Sequence, residues 1–148
     1  MGRKKAEAFL EVACPYFYPL EPRASEADSR TSMLPLGDLW AGTCRALPGE
    51  GCEPEEAAVR PLCNLGYARG QCSRFPADSP DADAVRFTVR RDDGRSLHLY
   101  YVLERDHHPF GHGPLQYSMA SAAFSQPLSA LLLRQAEAYV ASYLRRKR

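Results

Sequence analysis

Along the second half of the chain apolar and polar side chains alternate strictly. Val85, Phe87 and Val89 are interleaved with Arg86, Thr88 and Arg90, and beyond Asp93-Gly94 a second alternation runs over 96–104. A period of two on both sides of an Asp-Gly step predicts an antiparallel β-hairpin with strands over 84–91 and 96–104. Leu97, Leu99, Tyr101 and Leu103 make one apolar face of the return strand. His98, Tyr100 and Val102 on the other face predict partial cover there too, by a helix or a loop. Leu115, Tyr117 and Met119 alternate with Gln116 and Ser118, which predicts a third, weaker strand.

Elsewhere the period is helical. Over 127–146, Leu128, Leu131, Leu132, Gln135, Ala136, Tyr139, Tyr143 and Leu144 form a broad stripe that predicts one long helix, and the basic run 145–148 suits the negative end of its dipole. Ala6, Phe9, Leu10 and Ala13 predict a short amphipathic helix over 3–13 that stops at Cys14-Pro15. A further short helix is expected to open near Pro54, to bend or restart at Pro61 and to end near Leu65-Gly66, with Cys63 in or beside its last turn. Between these, Pro15, Pro19, Pro22 and Pro35 and the polar run 23–32 predict extended loop and turns over 15–42. Tyr16, Phe17, Leu36 and Trp40 should wrap that loop onto the domain. The expectation is an α+β fold, one domain over 1–148: an antiparallel hairpin or small sheet packed against a long C-terminal helix, with a loop-rich, cysteine-bearing N-terminal half.

Composition narrows the function classes. At 148 residues and 45% hydrophobic content the chain can build one core without staples. Nineteen Lys plus Arg against eighteen Asp plus Glu leave a net charge of +1, so no global field points to nucleic acid as a partner. The basic ends 3–5 and 145–148, with Arg86 and Arg90, are accounted for as solvated termini and a solvated strand face. Glu7 and Glu11 interrupt the basic N-terminus, so no secretory signal core is expected. The apolar runs 130–133 and 138–141 fall far short of the roughly 20 residues of a membrane span. These readings predict a cytoplasmic protein.

A reducing cytosol changes the meaning of five cysteines. Cys14, Cys44, Cys52, Cys63 and Cys72 all precede the hairpin, and an odd count cannot pair internally without a remainder. Clustered thiols in that compartment point to metal binding or redox chemistry. Four thiolates around a zinc ion or an iron-sulfur cluster leave a negative centre, which backbone N–H groups of tight loops and Arg69 or Arg74 would offset. Tyr16, Phe17, Tyr67 and Phe75 would keep water away. Zinc ribbons present cysteine pairs two to four residues apart, and this chain has none. Cluster ligands come from separated loops and a Cys-Pro step occurs in ferredoxin-type ligation, so an iron-sulfur cluster, 4Fe-4S, leads the reading. Open beside it stand a structural four-cysteine zinc site in a non-enzymatic interaction module, ordinary buried thiols, and a disulfide or redox pair.

Cys14-Pro15-Tyr16-Phe17, the stretch from Leu34-Pro35-Leu36-Gly37 to Gly42-Thr43-Cys44, and Cys63-Asn64-x-Gly66-Tyr67-x-x-Gly70-x-Cys72-x-Arg74-Phe75-Pro76 resemble the pattern of a family of small uncharacterised bacterial proteins. The resemblance covers about the first half of the chain and implies no particular activity. It implies only that Cys14, Cys44, Cys63 and Cys72 belong together as a motif, with Cys52 the spare; joined to the metal reading of the thiols, these four become the expected cofactor and metal ligands. A cluster on those four would serve electron transfer or redox sensing with a redox or protein partner.

Other candidates are weaker. His107, His108 and His112 lie in 106–113, where Pro109, Gly111 and Gly113 predict a polar loop rather than a metal site. Gly66 to Gly70 lacks the Lys-Ser/Thr ending of a phosphate loop, and no hydrolase motif is present.

Overall fold

A computed structural model describes residues 12–23, 34–46, 52–54, 56–66, 72, 74–75 and 82–147. Its elements are β1 (Phe17–Pro22), β2 (Trp40–Cys44), α1 (Glu56–Ala58, continued by a wider π-helical stretch, Val59–Asn64), β3 (Ala84–Asp92), β4 (Ser96–Arg105), β5 (His108–Ser118), β6 (Ala123–Phe124) and α2 (Ala130–Lys147). β1 and β2 form one antiparallel sheet, and β3-β4-β5-β6 form a second in sequence order. The fold is α+β, with the C-terminal helix and the hairpin where the patterning places them.

The hairpin turn is built by carboxylates. Gly94 takes a positive φ of 85° that suits glycine, while Asp92 accepts the Gly94 N–H at 3.0 Å and Asp93 accepts those of Arg95 and Ser96 at 2.9 and 2.8 Å. Leu97 and Leu99 are buried in the core. On the opposite face, among the described residues, side chains from the neighbouring strands cover Tyr100. His112 stacks on its ring at 5.7 Å and the Arg90 guanidinium lies 4.5 Å from its centre.

The expected polar loop over 106–113 is instead mostly strand. The chain reverses in two residues, Asp106 and His107, both with positive φ (56° and 65°), as tight hairpins do, and then runs as β5. The glycines that suggested a loop stand opposite large residues, Gly111 across from Leu103 and Gly113 across from Tyr101. A Cβ on Gly113 would come within 3.2 Å of the Tyr101 ring. Pro109 and Pro114 lie where β5 pairs only with β4, since β6 pairs only with Tyr117 and Ser118, so proline breaks no second ladder. The Gln126 amide takes the missing neighbour's place, accepting the Gln116 N–H at 3.1 Å and donating to the Pro114 carbonyl at 3.0 Å.

The N-terminal half also departs from expectation. Residues 17–22 and 40–44, expected to lack regular structure, pair as β1 and β2 with Phe17 opposite Cys44 and Pro19 opposite Gly42. Gly42 permits this, because a Cβ there would sit 2.0 Å from the Tyr18 carbonyl oxygen. Of the helix expected over 3–13, residues 3–11 lie outside the described residues. Ala13 is extended, exchanging backbone hydrogen bonds of 2.8 and 2.9 Å with Val85 at the edge of the larger sheet. α1 is present near Pro54 as expected, over Glu56–Ala58, and widens to π geometry over the stretch that contains Pro61, which has no amide hydrogen to donate.

α2 begins three residues later than the stripe predicts, because Ser129 caps it, its hydroxyl accepting the Leu132 N–H at 3.3 Å. Gln135, Ala136, Ala138, Tyr139, Val140 and Ser142 form its buried face. One apolar cluster joins that face to Phe17 and Trp40 of the small sheet and to Val85, Leu97 and Leu99 of the large one. At the basic end of α2, Arg145 and Lys147 are exposed as expected, and the run is also ion-paired. Asp38 accepts bonds from Ser142 (2.6 Å), Arg146 (2.8 Å) and Arg145, and Asp92 accepts from Lys147 (2.8 Å) and Tyr143 (2.9 Å). Arg86 likewise pairs with Glu104 at 3.0 Å. No helix among the described residues is long and apolar enough to cross a membrane.

Candidate metal centre

The cysteines are far apart in sequence and are gathered by backbone geometry. Cys14 opens a turn that closes from the Phe17 N–H to the Cys14 carbonyl at 3.2 Å, with Pro15 at the position that favours proline. The Cys14 N–H donates to the Cys63 carbonyl at 3.1 Å, which ties the end of the α1 stretch to the start of β1. Cys44 ends β2 opposite Phe17. Cys52 pairs with Cys44 in a short antiparallel bridge. A second turn closes from the Phe75 N–H to the Cys72 carbonyl at 3.1 Å, and the Phe75 ring meets that of Tyr16 edge-on, with centroids 5.2 Å apart.

Two buried amides hold this arrangement. Asn64, fully buried, acts as a one-residue strand toward Trp40: its Oδ1 accepts the Trp40 N–H at 2.8 Å and its Nδ2 donates to the Trp40 carbonyl at 3.0 Å. The same Nδ2 donates to the Val59 carbonyl at 2.9 Å, so the residue after Cys63 locks α1 to β2. From α2, Gln135 Nε2 donates to the carbonyls of Cys14 (3.0 Å) and Phe17 (2.7 Å), bracketing the turn that carries the first thiol. Neither role is assigned by the sequence pattern, although Gln135 interrupts an apolar stripe, and a polar side chain on a buried stripe requires partners. Asn64 gives no such signal.

Burial dominates the electrostatics of the thiols. It pushes Cys14 far above the ordinary thiol range, against the Tyr16 backbone N–H at its sulfur, and Cys63, Cys44 and Cys72 raise it further. Burial pushes Cys63 up to about 12, with Cys44 and Cys72 adding to the rise and the Arg74 charge opposing it. The Cys14 and Cys63 thiols therefore lie in surroundings that disfavour the thiolate. As neutral groups they suit an apolar pocket, and only a bound cationic centre would stabilise them as the thiolates that ligation requires.

Of the two arginines expected to offset that charge, Arg74 is in place, with Nη1 3.5 Å from the Cys52 sulfur and 2.8 Å from the Glu53 carbonyl. Arg69 lies outside the described residues. Phe17 and Phe75 are buried beside the thiols, while Tyr67 also lies outside the described residues. The histidines do not join them: His108 pairs with Arg105 in the sheet, and His112 hydrogen-bonds Tyr100. Among the described residues no three His, Cys, Asp or Glu side chains are grouped as they would be around a metal ion. No protein-family model, curated protein or solved structure matches the chain.

Proposed function

We propose that the chain binds an iron-sulfur cluster of the 4Fe-4S type through Cys14, Cys44, Cys63 and Cys72, and serves in electron transfer or redox sensing with a cytoplasmic redox partner. The observation that supports this reading is the backbone tie between segments: Cys14 is hydrogen-bonded to Cys63, Phe17 three residues on pairs with Cys44, and the Phe75 ring beyond the Cys72 turn meets Tyr16. The donor set fits the group: four sulfurs, a backbone N–H aimed at one of them, an arginine charge nearby and aromatic cover from Phe17 and Phe75. Once bound, such a cluster supplies a one-electron redox couple. The chain would set its potential through the Tyr16 N–H, the Arg74 charge and the exclusion of water. Wide ligand spacing and the Cys14-Pro15 step favour a cluster over a single structural zinc ion.

Anaerobic purification followed by iron, zinc and acid-labile sulfide analysis tests the reading. Iron with sulfide is expected. Zinc alone would transfer the site to a structural role in an interaction module, and neither metal would defeat both readings. Serine at Cys14, Cys44, Cys63 or Cys72 should abolish metal retention and Cys52→Ser should keep it; equal retention in all five variants refutes the ligand set.

A further inference from the structure

The fifth thiol is not placed at random. Cys44 and Cys52 are direct partners in an antiparallel bridge and exchange both backbone hydrogen bonds, Cys44 N–H to Cys52 carbonyl at 2.7 Å and the reverse at 3.0 Å. Such a doubly bonded pair holds its Cα atoms about 5.5 Å apart. Disulfides form across Cα separations of roughly 4.4–6.8 Å, so the pair is within reach; drawing the Cβ atoms of a hydrogen-bonded pair to the roughly 3.5–4.5 Å a disulfide needs strains the bond and makes it easier to reduce. The two thiols differ in access: Cys44 is buried and Cys52 is half-buried, with the Arg74 guanidinium 3.5 Å from its sulfur.

We infer that Cys44 and Cys52 form a reversible disulfide, made by exchange with a small carboxylate-bearing disulfide of the glutathione class. Cys52 as thiolate attacks one sulfur of the incoming disulfide, forming a mixed disulfide and expelling one small thiol. Cys44 then attacks the Cys52 sulfur, closing the internal bond and expelling the second thiol. Two protein thiols are oxidised, one small disulfide is reduced to two small thiols, and the protons pass to those thiols. Arg74 supplies the charge that draws an anionic disulfide to Cys52. The thiols lie eight residues apart, so ring closure contributes less than a long loop would, and the strain of a hydrogen-bonded pair lets a reducing thiol pool reopen the bond. The pairing stands whether or not a cluster binds. Its consequence, that oxidation removes Cys44 from a ligand set and releases metal, rests on the reading proposed above.

The test begins with the full chain, metal-free and reduced, treated anaerobically with oxidised glutathione and followed by intact mass and peptide mapping. The wild type should lose two hydrogens, retain no glutathione and yield a Cys44–Cys52 cross-linked peptide. Cys44→Ser should stall with glutathione held on residue 52, Cys52→Ser should form neither bond nor adduct, and Cys72→Ser should behave as wild type. Glutathione retained by the wild type, a cross-link between other cysteines, or no reaction overturns the inference. In a second arm, chain reconstituted with iron and sulfide is oxidised in the same way, and metal release is expected from the wild type but not from Cys52→Ser. Failure to load metal at all counts against the cluster reading, while the first arm still decides the disulfide.

Discussion

Replacing Asn64 by alanine would remove the amide that stands in for a strand beside Trp40. Three hydrogen bonds disappear, to the Trp40 N–H (2.8 Å), the Trp40 carbonyl (3.0 Å) and the Val59 carbonyl (2.9 Å), at a residue with no solvent exposure. Water cannot replace them without opening the packing. A buried backbone group left without a partner costs about 1–3 kcal/mol, so three at the lower half of that range give about 3–6 kcal/mol. Against the roughly 5–15 kcal/mol that holds a domain together, this is a large share. With a urea dependence of about 2 kcal/mol per molar, the unfolding midpoint should fall by about 2 M. Trp40 is the only tryptophan, so its fluorescence reports the site directly. Asn64→Asp retains an acceptor for the Trp40 N–H but has no amide to donate, and buries a carboxyl group as well, so it should not rescue stability. A midpoint shift below about 0.5 M in Asn64→Ala, with unchanged Trp40 emission, would refute the strand-mimic account.

Gly37 and Gly94 both have positive φ (91° and 85°), yet a Cβ on Gly37 would meet Ser142 Cβ at 2.2 Å whereas one on Gly94 meets nothing within 4 Å. Gly94→Ala should therefore cost about 1 kcal/mol by strain alone and Gly37→Ala about 3 kcal/mol or more in chemical denaturation, with part of the excess recovered by adding Ser142→Gly. Lys147, then the Gly94 N–H and Tyr143, hold Asp92 down at about 2, while Asp38, which burial alone would raise, is lowered on balance by hydrogen bonds from Arg145 and Ser142. Both carboxyls lie below their ordinary 3.8, so the stability they contribute is complete above that pH and lost as pH falls toward 2; Asp38→Asn combined with Asp92→Asn should flatten the melting temperature across that window. In the metal-free chain, iodoacetamide at about pH 8 should label Cys14 and Cys63 at least tenfold more slowly than half-buried Cys52, because thiolate is the reacting form. Equal rates at all three, read by mass spectrometry, would contradict the burial of the set.

What could be read from the sequence was local. The β3–β4 hairpin carries its own period and its own turn residues, and α2 carries its own stripe, so each is specified by neighbours a few positions away. The end of β5 was legible in the alternation of Leu115 and Tyr117, but its start was hidden because Gly111 and Gly113 are loop formers by propensity and become strand residues only opposite Leu103 and Tyr101, a relation that exists after the register is set. β1 and β2 were hidden for a similar reason. Pro19 and Pro22 argue against a strand until Gly42 lets the second backbone approach Tyr18 closely. At the candidate centre, the counting of cysteines and the choice of Arg74 and Phe75 needed only composition and motif. The work of Asn64 and Gln135 could not be read in that way, since their partners are backbone atoms of other segments.

The Gln135 contact also fixes an order of events. The turn that carries Cys14 is completed by a side chain 121 residues further along the chain. At about 5–20 residues per second, a ribosome takes roughly 6–24 s to travel from one to the other. During that interval the early thiols exist without the bracket that holds their loop, and small disulfides and metals in the cell can reach them. The bracketed turn can therefore form only after α2 has been made, and a nascent chain halted before α2 would carry Cys14 without its Gln135 contact.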